Sequence, residues 1–384
     1  MTTHLSASSD PTATDGPPRT HGRGRRRRSS LLVATAALGL ALAGCANSET
    51  PSGSTDAGSA GGGPAAEAVT PTASGAGGET CSIADYGAEE MDLSETVVGF
   101  SQSEPESAPF RVAETQSIRD AAAEAGVEDL LTTNANNQLS KQVSDIQDML
   151  AQGAELLIVA PLNSDGLEPA LAQARDQGVP VITIDRKLNA EPCVDYVTFL
   201  GSDFYDQGVR AAEAMIDTTG GEGQVAILLG TSGNNVTTGR TDGFVETLQE
   251  QAPDLEVVAQ QTGEFSRSTG QQVMEQLLQA NPGITAVYAE NDEMGLGALT
   301  AIQAAGKDPG QDVKIVSIDG TRNAVQAIVD GDYNAVIESN PRFGPLAFST
   351  AEQFLSGEPV PVDIVIEDGE YDESNAADRI GDAF

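Results

Sequence analysis

The stretch GVPVITIDRKLN, Gly178 to Asn189, carries two signals in twelve residues. After a Gly-Val-Pro lead-in, Val181 to Ile184 form a β-branched, mostly apolar run of the kind that sits inside a parallel sheet, covered on both faces. Asp185 and Arg186 then follow back to back. Charges at the end of a buried strand are costly unless they pair with each other or are put to use.

The same pattern recurs outward from this strand. From Glu95 onward, apolar runs alternate with helical segments: TVVGFSQ (96–102), ELLIVAP (155–161), PVITID (180–185), VTFLGSD (197–203), QVAILLG (224–230), LEVVAQQ (255–261), ITAVYAE (284–290), VKIVSIDG (313–320) and YNAVIESN (333–340). Helices are expected between them, among them 113–125, 140–152, 268–280 and 296–305. Strands and helices alternating at these lengths make parallel sheets with right-handed crossovers, and the number of strands suits two sheets better than one. The fold class is α/β.

In open α/β sheets a ligand sits beyond the carboxyl ends of the strands. Ser101 and Gln102 end the first strand and lead into a polar loop with Glu106, Phe110 and Arg111. Asp185 and Arg186 end the third, and the loop after QVAILLG reaches Arg240. Asn291 and Asp292, Asp319, and Ser339 with Asn340 end three later ones. Carboxylates only accept hydrogen bonds, guanidinium groups only donate and amides do both. A polyol, whose hydroxyls each donate and accept, uses that mixture. Metal and nucleophile chemistry find no candidates: the only histidines are His4 and His21, and no serine or cysteine has an evident base beside it. No cofactor and no enzymatic activity are expected.

Composition bounds the rest. The chain has 384 residues, enough for two ordinary domains. Arg23 and Arg25 to Arg28 precede an apolar stretch, Leu31 to Ala43, that is short for a transmembrane helix but suits a secretory signal. It ends in Leu42-Ala43-Gly44-Cys45, which resembles a bacterial lipobox. Residues 1–44 are therefore expected to be a signal peptide, with lipid on Cys45 as the only membrane attachment. Residues 45–80, mostly Ser, Gly, Ala and Thr, are expected to form a flexible tether. The folded part then stands outside the cytoplasm, close to the membrane.

Six of the 20 basic and two of the 58 acidic residues lie in 1–44, which leaves 14 and 56, a net charge of −42. Such a surface repels phosphate backbones, so nucleic acid is not an expected partner. With Cys45 assigned to lipid, Cys81 and Cys193 remain in an exported protein and are expected to be bonded; two free buried thiols are the alternative.

A series of segments carries a family resemblance: VGFSQSEPES (98–107), IVAPLNSDGLEPAL (158–171), VPVITIDR (179–186), GRTDGF (239–244), GEFSRSTG (263–270), AVYAENDEMGLGAL (286–299) and VSIDGT (316–321). In order and spacing they resemble the sugar-binding subunits of ABC importers, the periplasmic-binding type I family, and within it the galactofuranose-binding branch, over 95–361. The resemblance implies two Rossmann-like lobes with parallel sheets joined by a three-strand hinge: 81–202 with 341–360, and 203–340 with 361–384. It implies a monosaccharide in the cleft, hinge closure on binding, an ABC permease as partner and a monomeric state.

Carried over by position, Asp185, Arg186, Arg240, Asn291 and Asp319 match the polar sugar contacts. Ser101, Glu106 and Arg111 match the first loop, which is one residue longer here, and Ser339 stands at the last polar contact. Phe110 occupies an aromatic position and would either face the sugar's C–H surface or pack in the core. Leu167 replaces an expected tryptophan. Other classes fit less well: a repressor of this fold would open with a helix-turn-helix and a basic face. A lipoprotein of the same fold that senses a non-sugar or signal molecule for a receptor is the second reading.

Overall fold

The structure, a computed structural model, describes residues 69–72 and 78–384. The expected signal peptide, Cys45 and most of the expected tether lie outside the described residues. The described chain opens with strand β1 (Thr80–Cys81) and one-turn helix α1 (Ile83–Tyr86). It continues through β2 (Val97–Gln102), α2 (Pro109–Ala125), β3 (Asp129–Asn134), α3 (Leu139–Ala151), β4 (Leu156–Val159), α4 (Glu168–Asp176), β5 (Val181–Ile184) and β6 (Thr198–Gly201). A second run follows with α5 (Phe204–Thr219), β7 (Gly223–Leu229), α6 (Asn235–Gln251), β8 (Leu255–Thr262), α7 (Arg267–Ala280), β9 (Ala286–Ala289), α8 (Asp292–Ala304), β10 (Lys314–Asp319), α9 (Arg322–Asp330) and β11 (Ala335–Glu338). Then come α10 (Gly344–Leu355), β12 (Val360–Pro361), β13 (Asp363–Val365), β14 (Glu370–Asp372) and α11 (Ala376–Arg379).

Two six-stranded sheets result, ordered β13-β6-β5-β4-β2-β3 and β14-β11-β10-β9-β7-β8. Apart from the late-arriving edge strand, each repeats one doubly wound order with all strands parallel. The central strands β4, β5, β9 and β11 are buried at every residue, as their unbroken apolar runs require with helices on both faces. Leu167 is buried in the first lobe's core beside Ala170 and Leu171.

The chain passes between the lobes three times: after β6, after β11 and between β13 and β14. The third passage corrects an expected boundary. Residues 363–365 pair with β6 in the first sheet, and only from Glu370 does the chain join the second. The tether boundary also moves. Val69 is buried in the first lobe's core, Pro71 bridges Ile366, Thr72 N donates to Val365 O at 2.7 Å, and Glu367 N donates to Thr70 O at 2.8 Å. Strand β1 pairs antiparallel with β12. Cys81 and Cys193 are disulfide-bonded, with Cα atoms 5.2 Å apart, which fastens β1 to the loop between β5 and β6.

Candidate ligand-binding cleft

The carboxyl ends of both sheets face one cleft. It is lined by Glu104, Ala108, Phe110, Arg111, Asp185 and Arg186 from the first lobe and by Val236, Arg240, Phe265, Asn291 and Asp319 from the second.

On the first lobe the charges form a lattice. Glu104, in the loop after β2, accepts from Arg186 Nη2 at 2.7 Å and from Arg111 Nε at 3.0 Å. Arg111, in the first turn of α2, also donates through Nη1 to Asp185 at 2.7 Å and to Glu114 at 2.9 Å. Arg186 Nη1 donates to the carbonyls of Leu162 (3.0 Å) and Pro161 (3.3 Å). Its Nε lies 3.7 Å from Asp185 and has no hydrogen-bond partner among the described residues. Burial would raise the Glu104 carboxyl, but Arg186 and Arg111 outweigh it and hold it at about 2. Glu114 behind the lattice goes the other way: burial pushes it up to about 7 against the pull of Arg111.

Local backbone geometry aims these groups. Asp185 leaves β5 at φ 64°, a left-handed conformation that aspartate tolerates better than most residues. Its amide donates to Leu200 O at 2.9 Å, so the turn is pinned to the neighbouring strand. Asp319 leaves β10 at φ 144°, and Phe265 enters α7 at φ 54°; strain of this kind persists only where the surroundings enforce it.

On the second lobe, Arg240 in α6 donates through Nε to Gln207 Oε1 at 2.9 Å and through Nη1 to Glu290 O at 2.5 Å; Nη1 also stands 3.8 Å from Asp319. Burial raises the Asp319 carboxyl well above the carboxylate range despite Arg240. Asn291 caps α8, accepting from Met294 N at 2.9 Å while its amide donates to Phe265 O at 3.4 Å. Asp292, one residue on, is fully buried and receives the backbone amides of Gly320 and Thr321, which braces the turn that carries Asp319. Two rings close the cleft. Phe110 lies under Arg111, 4.9 Å from its guanidinium, in a T-shaped pair with Phe384 at 5.9 Å, while Phe265 reaches across from the second lobe to 5.9 Å from the Arg186 guanidinium.

Seven of the residues singled out from sequence therefore meet here: Phe110, Arg111, Asp185, Arg186, Arg240, Asn291 and Asp319. Three do not. Glu106 faces outward and pairs with the exposed Arg119 at 3.1 Å; the acid in the cleft is Glu104, two residues earlier. Ser101 points back into its own lobe, where its hydroxyl accepts from Gln142 at 3.3 Å. Ser339 is buried beside the cleft, with its amide on Asp319 O at 2.9 Å. Phe265, Glu104 and Gln207 were missed. The first two lie in segments already quoted for the resemblance, and charge complementarity to two arginines was the available signal for Glu104.

The lobes touch directly at the cleft mouth. Ser164 N donates to Gly233 O at 3.0 Å, Asn235 N to Ser164 Oγ at 3.1 Å, and Lys187 N to Asn235 Oδ1 at 3.0 Å. Among the described residues no group of three or more His, Cys, Asp or Glu is arranged to hold a metal ion, and no helix is long and apolar enough to cross a membrane.

Residues 98–359 match the family model described as a periplasmic binding protein domain. The chain belongs to the periplasmic binding protein family. Among curated members, the galactofuranose-binding protein of Escherichia coli K12 is 34% identical over 268 residues, 69% of this chain and 83% of that protein. The ribose import binding protein of Bacillus subtilis is 36% identical over 253 residues, 66% of this chain and 79% of that one. Among solved structures, a protein from Mycobacterium smegmatis in complex with β-D-fucofuranose superposes with TM-score 0.71 at 39% identity, covering 74% of this chain and 93% of that one. The fructose-binding periplasmic domain of a hybrid two-component system superposes with TM-score 0.69 at 26% identity, covering 74% and 93%. This periplasmic binding protein thus has the type I architecture, two α/β lobes with parallel sheets, in a family of substrate-binding transport proteins.

Proposed function

We propose that the chain captures one monosaccharide, in a five-membered ring form, between its lobes and delivers it to an ABC permease. The observation that carries this reading is the pair of facing charged sets, Glu104-Arg111-Asp185-Arg186 and Arg240-Asp319 with Asn291, between the rings of Phe110 and Phe265. Donor-only guanidinium groups alternate with acceptor-only carboxylates, so adjacent sugar hydroxyls each find both partners. Arg186 Nε is a buried donor left for such a hydroxyl. Aromatic faces suit the sugar's C–H surfaces. The relatives named for galactofuranose and ribose support a single ring, and the furanose named with one solved neighbour supports the ring form. The protein acts as a monomeric binder with no catalytic step.

Calorimetry with L-arabinose, D-galactose, D-fructose, D-ribose and maltose tests the class. Binding is expected for at least one monosaccharide and not for maltose. Heat from maltose alone would sink the single-ring reading, and silence from all five the sugar reading. With a ¹³C-labelled binder, the bound spectrum is expected to contain furanose resonances.

The anchor belongs to the same proposal: lipid on Cys45 would hold the folded part at the outer face of the cell membrane. Cys45→Ser is then expected to move the protein from membranes to the soluble fraction, and unchanged fractionation would point to another anchor. A second reading, presentation of the ligand to a sensor, is supported by the likeness to a two-component receptor domain. Deleting the gene separates the two: lost uptake of labelled sugar means import, whereas intact uptake with lost sugar-dependent transcription means sensing.

A further inference from the structure

Behind the second-lobe wall of the cleft, one polar side chain joins a cleft arginine to the segments that connect the lobes. Gln207, in the first turn of α5, is 1% exposed. Its Oε1 accepts from Arg240 Nε at 2.9 Å. Its Nε2 donates to Asp368 Oδ2 at 2.7 Å and to Glu338 O at 3.3 Å. Asp368 in turn accepts from Ser202 Oγ on Oδ1 at 3.1 Å. Ser202 belongs to the first passage between the lobes, Glu338 opens the second, and Asp368 lies in the third. The hinge segments, distant in sequence, thus converge on the Gln207–Asp368 pair, whose far end holds a cleft arginine.

We propose that Gln207 is a positioning residue for the cleft, anchored through Asp368 to the three hinge segments so that the orientation of the Arg240 guanidinium follows the state of the hinge. On its Nε side the Gln207 oxygen is Arg240's hydrogen-bond partner, and the Phe204 ring centroid lies 5.7 Å from its guanidinium. Its Nη1 is fixed by Glu290 O, so the Gln207 contact selects how the plane of the group is turned toward Asp319. An arginine's donors are directional, and an orientation error of one fork misplaces them all. The hub is braced on its outer side as well: Arg210 donates to Asp368 O at 2.9 Å and Gly369 O at 2.8 Å, and Gly369 N donates to Glu338 Oε2 at 2.9 Å. Burial pushes the Asp368 carboxyl up to about 7, with the Gln207 and Ser202 hydrogen bonds pulling it back.

The proposal concerns how Arg240 is held, and it stands whichever small polar ligand the cleft takes. Two substitutions test it. Gln207→Leu keeps the shape and removes both hydrogen-bonding ends. It is expected to weaken binding of the best sugar among L-arabinose, D-galactose, D-fructose and D-ribose by about tenfold to a hundredfold, the range for losing a buried bond to a charged group. It is also expected to raise the radius of gyration of the unliganded protein in solution scattering, since the hinge segments lose the tie through Gln207 and keep the Ser202–Asp368 and Gly369–Glu338 bonds.

Gln207→Glu keeps the acceptor for Arg240 but sets a carboxylate against Asp368. The charged groups around this pair are Arg240 from α6 with Asp319 against it, Asp203, Asp206 and Arg210 from the start of α5, Glu338 and Glu370 from the second sheet, and Glu367 next to Asp368. At pH 8 the two acids repel and affinity is expected to fall. Near pH 5 a shared proton restores the donor, so the ratio to wild type, taken at each pH to cancel titrations common to both proteins, returns toward one. A merely structural role for Gln207 gives a ratio that does not change with pH, and that result would overturn the proposal, as would wild-type affinity in Gln207→Leu. If no sugar binds even to the wild type, the sugar reading fails on its own; an unchanged radius in Gln207→Leu would then sink the positioning role.

Discussion

Glu104→Ala is expected to weaken sugar binding by about 2–5 kcal/mol, the scale for removing one partner from a buried charged network. Glu106→Ala is expected to change it by less than about 0.5 kcal/mol, as surface substitutions usually do. The two acids are separated by Pro105 alone, yet Glu104 bridges Arg111 and Arg186 whereas Glu106 meets Arg119 in water. Taking away Glu104 leaves both cleft arginines short of a partner and free to turn from the sugar. Calorimetry on the two variants decides the matter, and equal effects from both would remove Glu104 from its assigned place.

The same acid also predicts a pH dependence of stability. Its carboxyl sits at about 2 in the folded protein against an ordinary 4.5. Its stabilisation is therefore fully present above pH 4.5 and is lost as the pH falls through 4.5 toward 2. Denaturation of wild type and Glu104→Gln across that window should show the gap between them closing on the acid side. A gap that widens there would contradict the pairing.

The second large effect belongs to the disulfide. Cys81 and Cys193 are 112 residues apart in sequence, and cross-linking a loop of that length constrains the unfolded chain by about 4–5 kcal/mol in a chain-entropy account. The bond ties β1, itself paired to β12, onto the loop that follows Arg186, and both ends lie on the first lobe. Cys81→Ser with Cys193→Ser is therefore expected to lower the melting temperature strongly while sugar affinity at room temperature stays close to wild type. A collapse of affinity with little change in melting temperature would instead assign the bond to shaping the loop after Arg186.

Much of the architecture was legible because parallel strands buried on both faces announce themselves as unbroken apolar runs. β3 (Asp129–Asn134) escaped because it is an edge strand with every residue at least partly exposed, so its DLLTTN sequence lacks such a run. β13 and β14 escaped for another reason: each is three residues long, and nothing local says which sheet recruits it. Within the cleft, the charges that end strands were legible from position alone. Side-chain direction was not. Ser101 ends a strand as Asp185 does, but the left-handed turn that throws Asp185 outward has no counterpart at Ser101, which stays in the pleat and faces Gln142. Gln207 carries no charge, sits inside a helix and gains its meaning only from three segments brought together by the fold.

Residues 69–72 lie along the first lobe's edge, hydrogen-bonded to 365–367, immediately before the third passage between the lobes. Through these bonds the described segment 69–72 is moored on the first lobe. In mechanical terms the first lobe is the fixed jaw and the second the swinging one, with the pivot next to the mooring point. A pull applied at Val69 has almost no lever arm about the pivot. It would drag or reorient the described molecule without prising its jaws apart, so being held in place and holding a ligand would be mechanically independent tasks.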